Sequence, residues 1–237
     1  MLQIFDDLQQ LSRGTAELIC DACQRNISEK GNFTLVLSGG ETPRTMYEML
    51  AGNFFRNLID WKRVKIFFGD ERYVPHDDVR SNFRMVNETL LNHVPVPREN
   101  IFPVPTGSTP EQDALAYEEM LKKNFSTPFP QFDLILLGLG ENGHTASLFP
   151  NTNILNEETR WVKEVFVEEQ KSFRITLTAP AINASKQIVF LVSGKNKSQT
   201  LHDVLNGKQD PQKLPAQLIQ GEIIWMADRS AGELLIE

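Results

Sequence analysis

Apolar runs of strand length recur along the chain, several of them apolar at successive positions: FTLVL (33–37), VKIFF (64–68), FDLILL (132–137), FRITLT (173–178), QIVFLV (187–192) and EIIWMA (222–227). A strand with one wet face alternates apolar and polar residues. A run that is apolar throughout suits a strand covered on both faces, the condition of a parallel sheet. Helical patterns lie between these runs. TPRTMYEMLA offers Thr42 as an N-cap with Pro43 at the first helical position. SNFRMVNETLLNHV places Phe83, Val86, Leu90 and Leu91 on one face. TPEQDALAYEEMLKKNF opens on Thr109 and Pro110 with acids in its first turn, and KSQTLHDVLNG closes on Gly207. The alternation predicts an α/β fold: Rossmann-like, with a largely parallel central sheet and helices on both faces. The 237 residues read as a single domain, 1–237. The proline-rich stretch 94–110 is a rigid surface connection, because the sheet resumes at FDLILL.

A formal net charge of -7 argues against general affinity for nucleic acid or anionic membranes, while leaving room for a local cationic site. No apolar run approaches the roughly 20 residues of a membrane span, and MLQIFDDLQQL lacks the basic start of a signal peptide. The two cysteines, Cys20 and Cys23 in CDAC, fall inside a helical pattern. Helix packing in a reducing, cytoplasmic setting is the expectation, and two thiols alone do not complete a metal site.

In open parallel sheets, ligands bind beyond the carboxyl ends of the strands, so the segments after each run carry the chemistry. SGGETPR (38–44) follows the first. Ser38, Gly39, Gly40 and Thr42 there offer backbone amides and hydroxyls at a helix start, suited to a phosphate or simply to a tight strand–helix turn. GDERYVPHDDVRSNFR follows the second and sets Asp70, Glu71 and Arg72 side by side. They read either as site residues or as a surface pair, Glu71–Arg72, beside a turn-capping Asp70. The third run leads into GLGENGHTASLFP. Gly138, Gly140 and Gly143 spell the dinucleotide fingerprint G-x-G-x-x-G. That fingerprint needs a long crossover helix, whereas Pro150 leaves only HTASLF. The loop instead presents His144 at the start of a short helix, whose N-terminus disfavours imidazolium and leaves a neutral base. Cations come from Lys195 and Lys197 in SGKNKS and from Arg174.

Together LSGGETP, FFGDERYVP with SNFRM, LGLGENGHTASLFP, RITLTAPAIN and VSGKNKS resemble the 6-phosphogluconolactonase family, within the glucosamine-6-phosphate isomerase/6-phosphogluconolactonase superfamily. The resemblance implies hydrolysis of 6-phospho-D-glucono-1,5-lactone to 6-phosphogluconate in the oxidative pentose phosphate pathway, with no metal and no organic cofactor. It implies that residues 39–42, with Arg174 and Lys197, hold the phosphate and that His144 activates water. Arg72 or nearby amides would stabilise the oxyanion, and Asp70 would orient Arg72 or the histidine. Ser147 lacks the G-x-S-x-G surroundings of a nucleophile. Two positions depart from the wider pattern. Asn142 stands where the family usually has an acid, in the loop of Gly140 and Gly143. Phe149 stands where the isomerases carry a ring-opening glutamate, which disfavours isomerisation. A non-catalytic sugar-phosphate sensor would keep the phosphate cradle without needing His144.

Overall fold

The structure, a computed structural model, describes residues 1–236. Seven parallel strands form the central sheet: β1 (Leu2–Phe5), β2 (Phe33–Leu37), β3 (Val64–Phe68), β5 (Ile101–Phe102), β6 (Leu134–Gly138), β9 (Ile188–Val192) and β10 (Ile223–Asp228). Their order across the sheet is β1-β10-β9-β6-β2-β3-β5. β2 and β9 are buried at every position, which is why their sequences do not alternate. Helices cover both sides: α1 (Leu8–Lys30), α2 (Glu41–Ala51), α3 (Asn53–Arg56), α4 (Asn82–Val86), α5 (Pro110–Asn124), α6 (Ala179–Asn183) and α7 (Ser198–Asn206). α1 buries Cys20 and Cys23 as free thiols beside Ile19 and Ala22.

A second sheet has three antiparallel strands, in the order β4 (Asp70–Arg72), β8 (Ser172–Leu177), β7 (Val162–Val167). The run FRITLT belongs here rather than to the central sheet. β4 consists of charged residues and β7 is interrupted by Lys163 and Glu164, so neither shows as an apolar run. β4 departs directly from the end of β3 through Gly69. The second sheet therefore leans over the carboxyl ends of the parallel strands, and its Val162, Ile175 and Leu177 join the same hydrophobic core as Leu35 and Ile135.

Two buried tyrosines fasten the strand ends. Tyr47 of α2 accepts a hydrogen bond from the Ser38 amide (3.0 Å) and donates to the Ser38 carbonyl (2.8 Å). Tyr117 of α5 does the same for Phe68, at 2.9 Å in each direction. Each phenol satisfies both backbone groups of a residue where a strand stops, so the chain turns without an orphaned polar group. Burial pushes both phenols well above their ordinary pKa.

At the opposite edge, Asp133 ties β6 to β2 and α1. One carboxylate oxygen accepts from the Thr34 amide and hydroxyl, both at 2.8 Å, and pairs with Lys30 at 2.8 Å. The other pairs with Lys186 at 3.0 Å. Burial alone would raise this carboxyl, but these donors outweigh it and hold the pKa below the ordinary value. Asp133→Asn is expected to lose about 1–3 kcal/mol at pH 7, read from the urea midpoint. A depressed carboxyl stabilises above its unfolded pKa of about 3.9 and loses that contribution as pH falls through the lower folded value. The gap between wild type and variant must therefore close in acid. Equal midpoints at pH 7 would show that the network contributes nothing net.

Candidate active site

A cavity of about 470 Å³ opens where the strand ends meet the second sheet. Ser38, Gly39, Gly40 and Thr42 line it after β2, and Asp70 and Arg72 enter from β4. Gly140 and His144 line it after β6, Arg174 from β8, and Lys197 beyond β9. Asn142 and Gly143 stand behind His144 rather than on the wall. Lys195 turns outward to Glu233, at 3.4 Å.

The cradle after β2 is built differently from the sequence expectation. α2 begins at Glu41, so Thr42 lies inside its first turn and Gly40 occupies the cap position, with φ 112°. A glycine adopts that backbone readily and brings the turn forward. Pro43 then sits at the third helical position, where its missing N–H is still one the helix could not have used. No side chain caps this terminus. The Ser38 hydroxyl is buried without a hydrogen-bond partner among the described residues.

After β6 no helix forms. Residues 141–149 make tight turns, with a single bridge between Thr145 and Leu148. The Thr145 hydroxyl donates to the Gly138 carbonyl at 2.8 Å, which holds the turn against the strand end instead. His144 folds back over Gly140, where an added Cβ would fall 2.0 Å from Nδ1, so only glycine fits. Asn142 Oδ1 lies 2.6 Å from Nδ1 and also accepts the His144 amide at 3.2 Å. An oxygen there makes Nδ1 the donor and leaves the Nε2 lone pair free. Phe149 stacks on the imidazole, with centroids 4.2 Å apart and planes 18° apart. Burial is the main reason the imidazole pKa is pushed down to about 4. Asp70 opposes this, while Lys197, Arg174 and Arg72 reinforce it. The neutral histidine expected from the sequence is present, but desolvation replaces the helix terminus as its cause.

The acids after β3 divide. Glu71 is buried. Its carboxylate accepts the amides of Arg72 (2.8 Å), Asn82 (2.7 Å) and Phe83 (2.8 Å) and the Ser81 hydroxyl (3.0 Å), anchoring the start of α4. Burial pushes its pKa up. It makes no surface pair with Arg72. Asp70 contacts neither Arg72 nor the imidazole by hydrogen bond. Its Oδ2 accepts the Ser147 hydroxyl at 2.6 Å and its Oδ1 accepts Asn82 Nδ2 at 3.2 Å. Arg72 donates instead to the Arg80 carbonyl at 2.6 Å. Arg72 and Arg174 are direct cross-strand partners, and neither makes an ion pair among the described residues. Two like charges placed opposite one another repel, a cost that an anion in the cavity would relieve. Arg174 also donates to Gln170 Oε1. Burial lowers the pKa of both Arg174 and Lys197. Asn82, Gln170, Ser193 and Asn196 also line the cavity and were not anticipated. Of these, Asn82 lay in SNFRM and Ser193 and Asn196 in SGKNKS, stretches the sequence had flagged, while Gln170 lay outside any such stretch.

Two relatives and one solved structure are similar to this chain over nearly its whole length. The 6-phosphogluconolactonase of Synechocystis sp. is 45% identical over 215 residues, covering 88% of this chain and 87% of that protein. That of Nostoc sp. is 36% identical over 237 residues, covering 98% and 96%. The crystal structure of 6-phosphogluconolactonase from Thermotoga maritima matches with a TM-score of 0.83 at 32% identity, covering 96% of this chain and 99% of that one. With residues 6–225 also matching the family described as glucosamine-6-phosphate isomerases/6-phosphogluconolactonase, the chain belongs to that family.

Proposed function

We propose that the protein hydrolyses 6-phospho-D-glucono-1,5-lactone to 6-phospho-D-gluconate, and that it serves the oxidative pentose phosphate pathway. The observation that carries the reading is a neutral imidazole with Nε2 free, set in a cavity whose other charged walls are mostly cationic. The names of the relatives support the same substrate. The amides of the uncapped start of α2, with Gly39, Gly40, Lys197 and Arg174, receive the phosphate. Holding that end positions the lactone carbonyl near His144. Nε2 takes a proton from water as the water oxygen bonds to the carbonyl carbon. Arg72 or a loop amide balances the oxyanion. Collapse breaks the bond from carbon to ring oxygen, and the imidazolium returns its proton to that oxygen. The new carboxylic acid then ionises in water. Every step is completed by His144 and water, without a serine nucleophile. Ser147 is turned to Asp70 and does not line the cavity. Isomerisation is disfavoured because Phe149 lies flat on the imidazole, offering no acid or base at that position.

Three outcomes test this. The wild type should turn over the lactone faster than its spontaneous opening, with 6-phosphogluconate detected by a coupled assay, and His144→Ala should lose about a hundred- to ten-thousand-fold in kcat. Near-normal turnover by that variant would remove the histidine from the mechanism. The acid limb of kcat/KM should fall only as pH drops through about 4, because the imidazole is the active, neutral base above that value. Asn142→Asp should move the limb upward, since an anion beside Nδ1 favours imidazolium. A wild-type limb near the ordinary histidine value would contradict the desolvated base. Gly39→Ala brings a Cβ to 1.8 Å from Asn82 Oδ1 and must displace the cradle. Its KM should rise roughly tenfold or more through lost contacts to a charged phosphate. An unchanged KM would place the phosphate elsewhere.

A further inference from the structure

The histidine loop carries a backbone feature that its own sequence does not explain. Ala146 has φ 46°, in the left-handed region that residues with a Cβ avoid. Such a conformation persists only where the surroundings over-determine it. Here the fastening falls on the next residue. Ser147 is fully buried. Its amide donates to Thr176 Oγ1 of β8 at 3.2 Å, and its hydroxyl donates to Asp70 Oδ2 of β4 at 2.6 Å. The loop that carries His144 is thereby pinned to the second sheet at a carboxylate lining the cavity. Asn82, on the other oxygen, also lies against Gly39 of the cradle.

We infer that Ser147 is a positioning residue: its hydroxyl locks the Asp70 carboxylate and the histidine loop into one unit, so that the imidazolium formed during lactone opening meets a fixed negative charge. This rests on the lactone-hydrolysis reading. Among the described residues Asp70 is the leading charge that favours the protonated imidazole, with Glu41 of α2 a second acid on the cavity wall. Lys197 from the loop after β9, Arg174 from β8 and Arg72 from β4 all oppose it, as does burial. Glu141, in the histidine loop, faces Lys197 at 3.9 Å and partly offsets that cation. A carboxylate free to swing toward Arg72 or Arg174 would be neutralised by them and lost to the histidine. With one oxygen held by Ser147 and the other by Asn82, it stays in place.

The test combines Ser147→Ala, Asp70→Asn and the double variant. Ser147→Ala should lower kcat by roughly tenfold or more, with the lactone KM within about twofold, since Ser147 does not touch the cradle. The pKa of His144, read by NMR and assigned from the His144→Ala spectrum, should fall by roughly half a unit or more as the favourable charge loosens. In the Asp70→Asn background, removing the hydroxyl should add little to either effect, because the charge it positions is already gone. Ser147→Cys, which keeps the volume and a weak donor, should fall between wild type and Ser147→Ala, and it carries the comparison if the alanine variant does not fold. An unmoved His144 pKa in the folded serine variants, or losses that add fully in the double variant, would overturn the inference. A wild type that fails to hydrolyse the lactone would overturn the functional reading instead. The NMR shift needs no substrate, so the two failures are separate.

Discussion

Parallel strands all end at the same edge, and that constraint organises this molecule. β2 and β9 are buried along their whole length, so the sheet needs cover on both faces and its connections must cross back by helices. Every carboxyl end, with its unsatisfied backbone, then collects on one side. The cradle, the histidine loop and the lysine turn follow β2, β6 and β9, which neighbour one another as β9-β6-β2. Segments about 50 to 160 residues apart in sequence are brought to one cavity by strand order.

Stopping a strand in the interior leaves backbone groups that must be satisfied. Tyr47 and Tyr117 do this with single phenols that both accept and donate. The consequence is functional as well as structural. Ser38 is fixed where the cradle begins, and Phe68 is fixed immediately before the turn into β4. Glu71 continues the same logic by gathering the first amides of α4, which sets Asn82 between Gly39 and Asp70.

The electrostatics of the cavity follow from burial more than from any single pair. Desolvation lowers the pKa of His144, Arg174 and Lys197 together. The imidazole gives up its charge under that pressure. The guanidinium and the ammonium keep theirs, because their ordinary values lie far above neutrality. The result is a neutral imidazole beside three cations, a polarity that suits the proposed binding of a phosphate with activation of water next to it. A glutamate in place of Phe149 would bring an anion against the imidazole and change that balance.

The sequence by itself determined the class of fold, because uninterrupted apolar runs have few other places to go. It also pointed to loops that line the cavity: Gly39, Gly40, His144 and Lys197 were legible as residue types that follow buried strands. It misplaced FRITLT, whose alternation of Phe173, Ile175 and Leu177 with Arg174, Thr176 and Thr178 fits the small antiparallel sheet it joins. It expected a short helix after His144 and a Thr42 cap, because local patterns do not reveal that a turn is held by Thr145 and Gly138 or that Gly40 takes the cap position. The partners of Asp70 were decided only in three dimensions. Ser147 lies 77 residues from it in sequence, and no spacing rule reports a hydrogen bond made when two sheets are packed together. Burial, too, belongs to the tertiary structure. The lowered pKa of His144 is produced by everything packed around it, and one loop read alone does not contain that information.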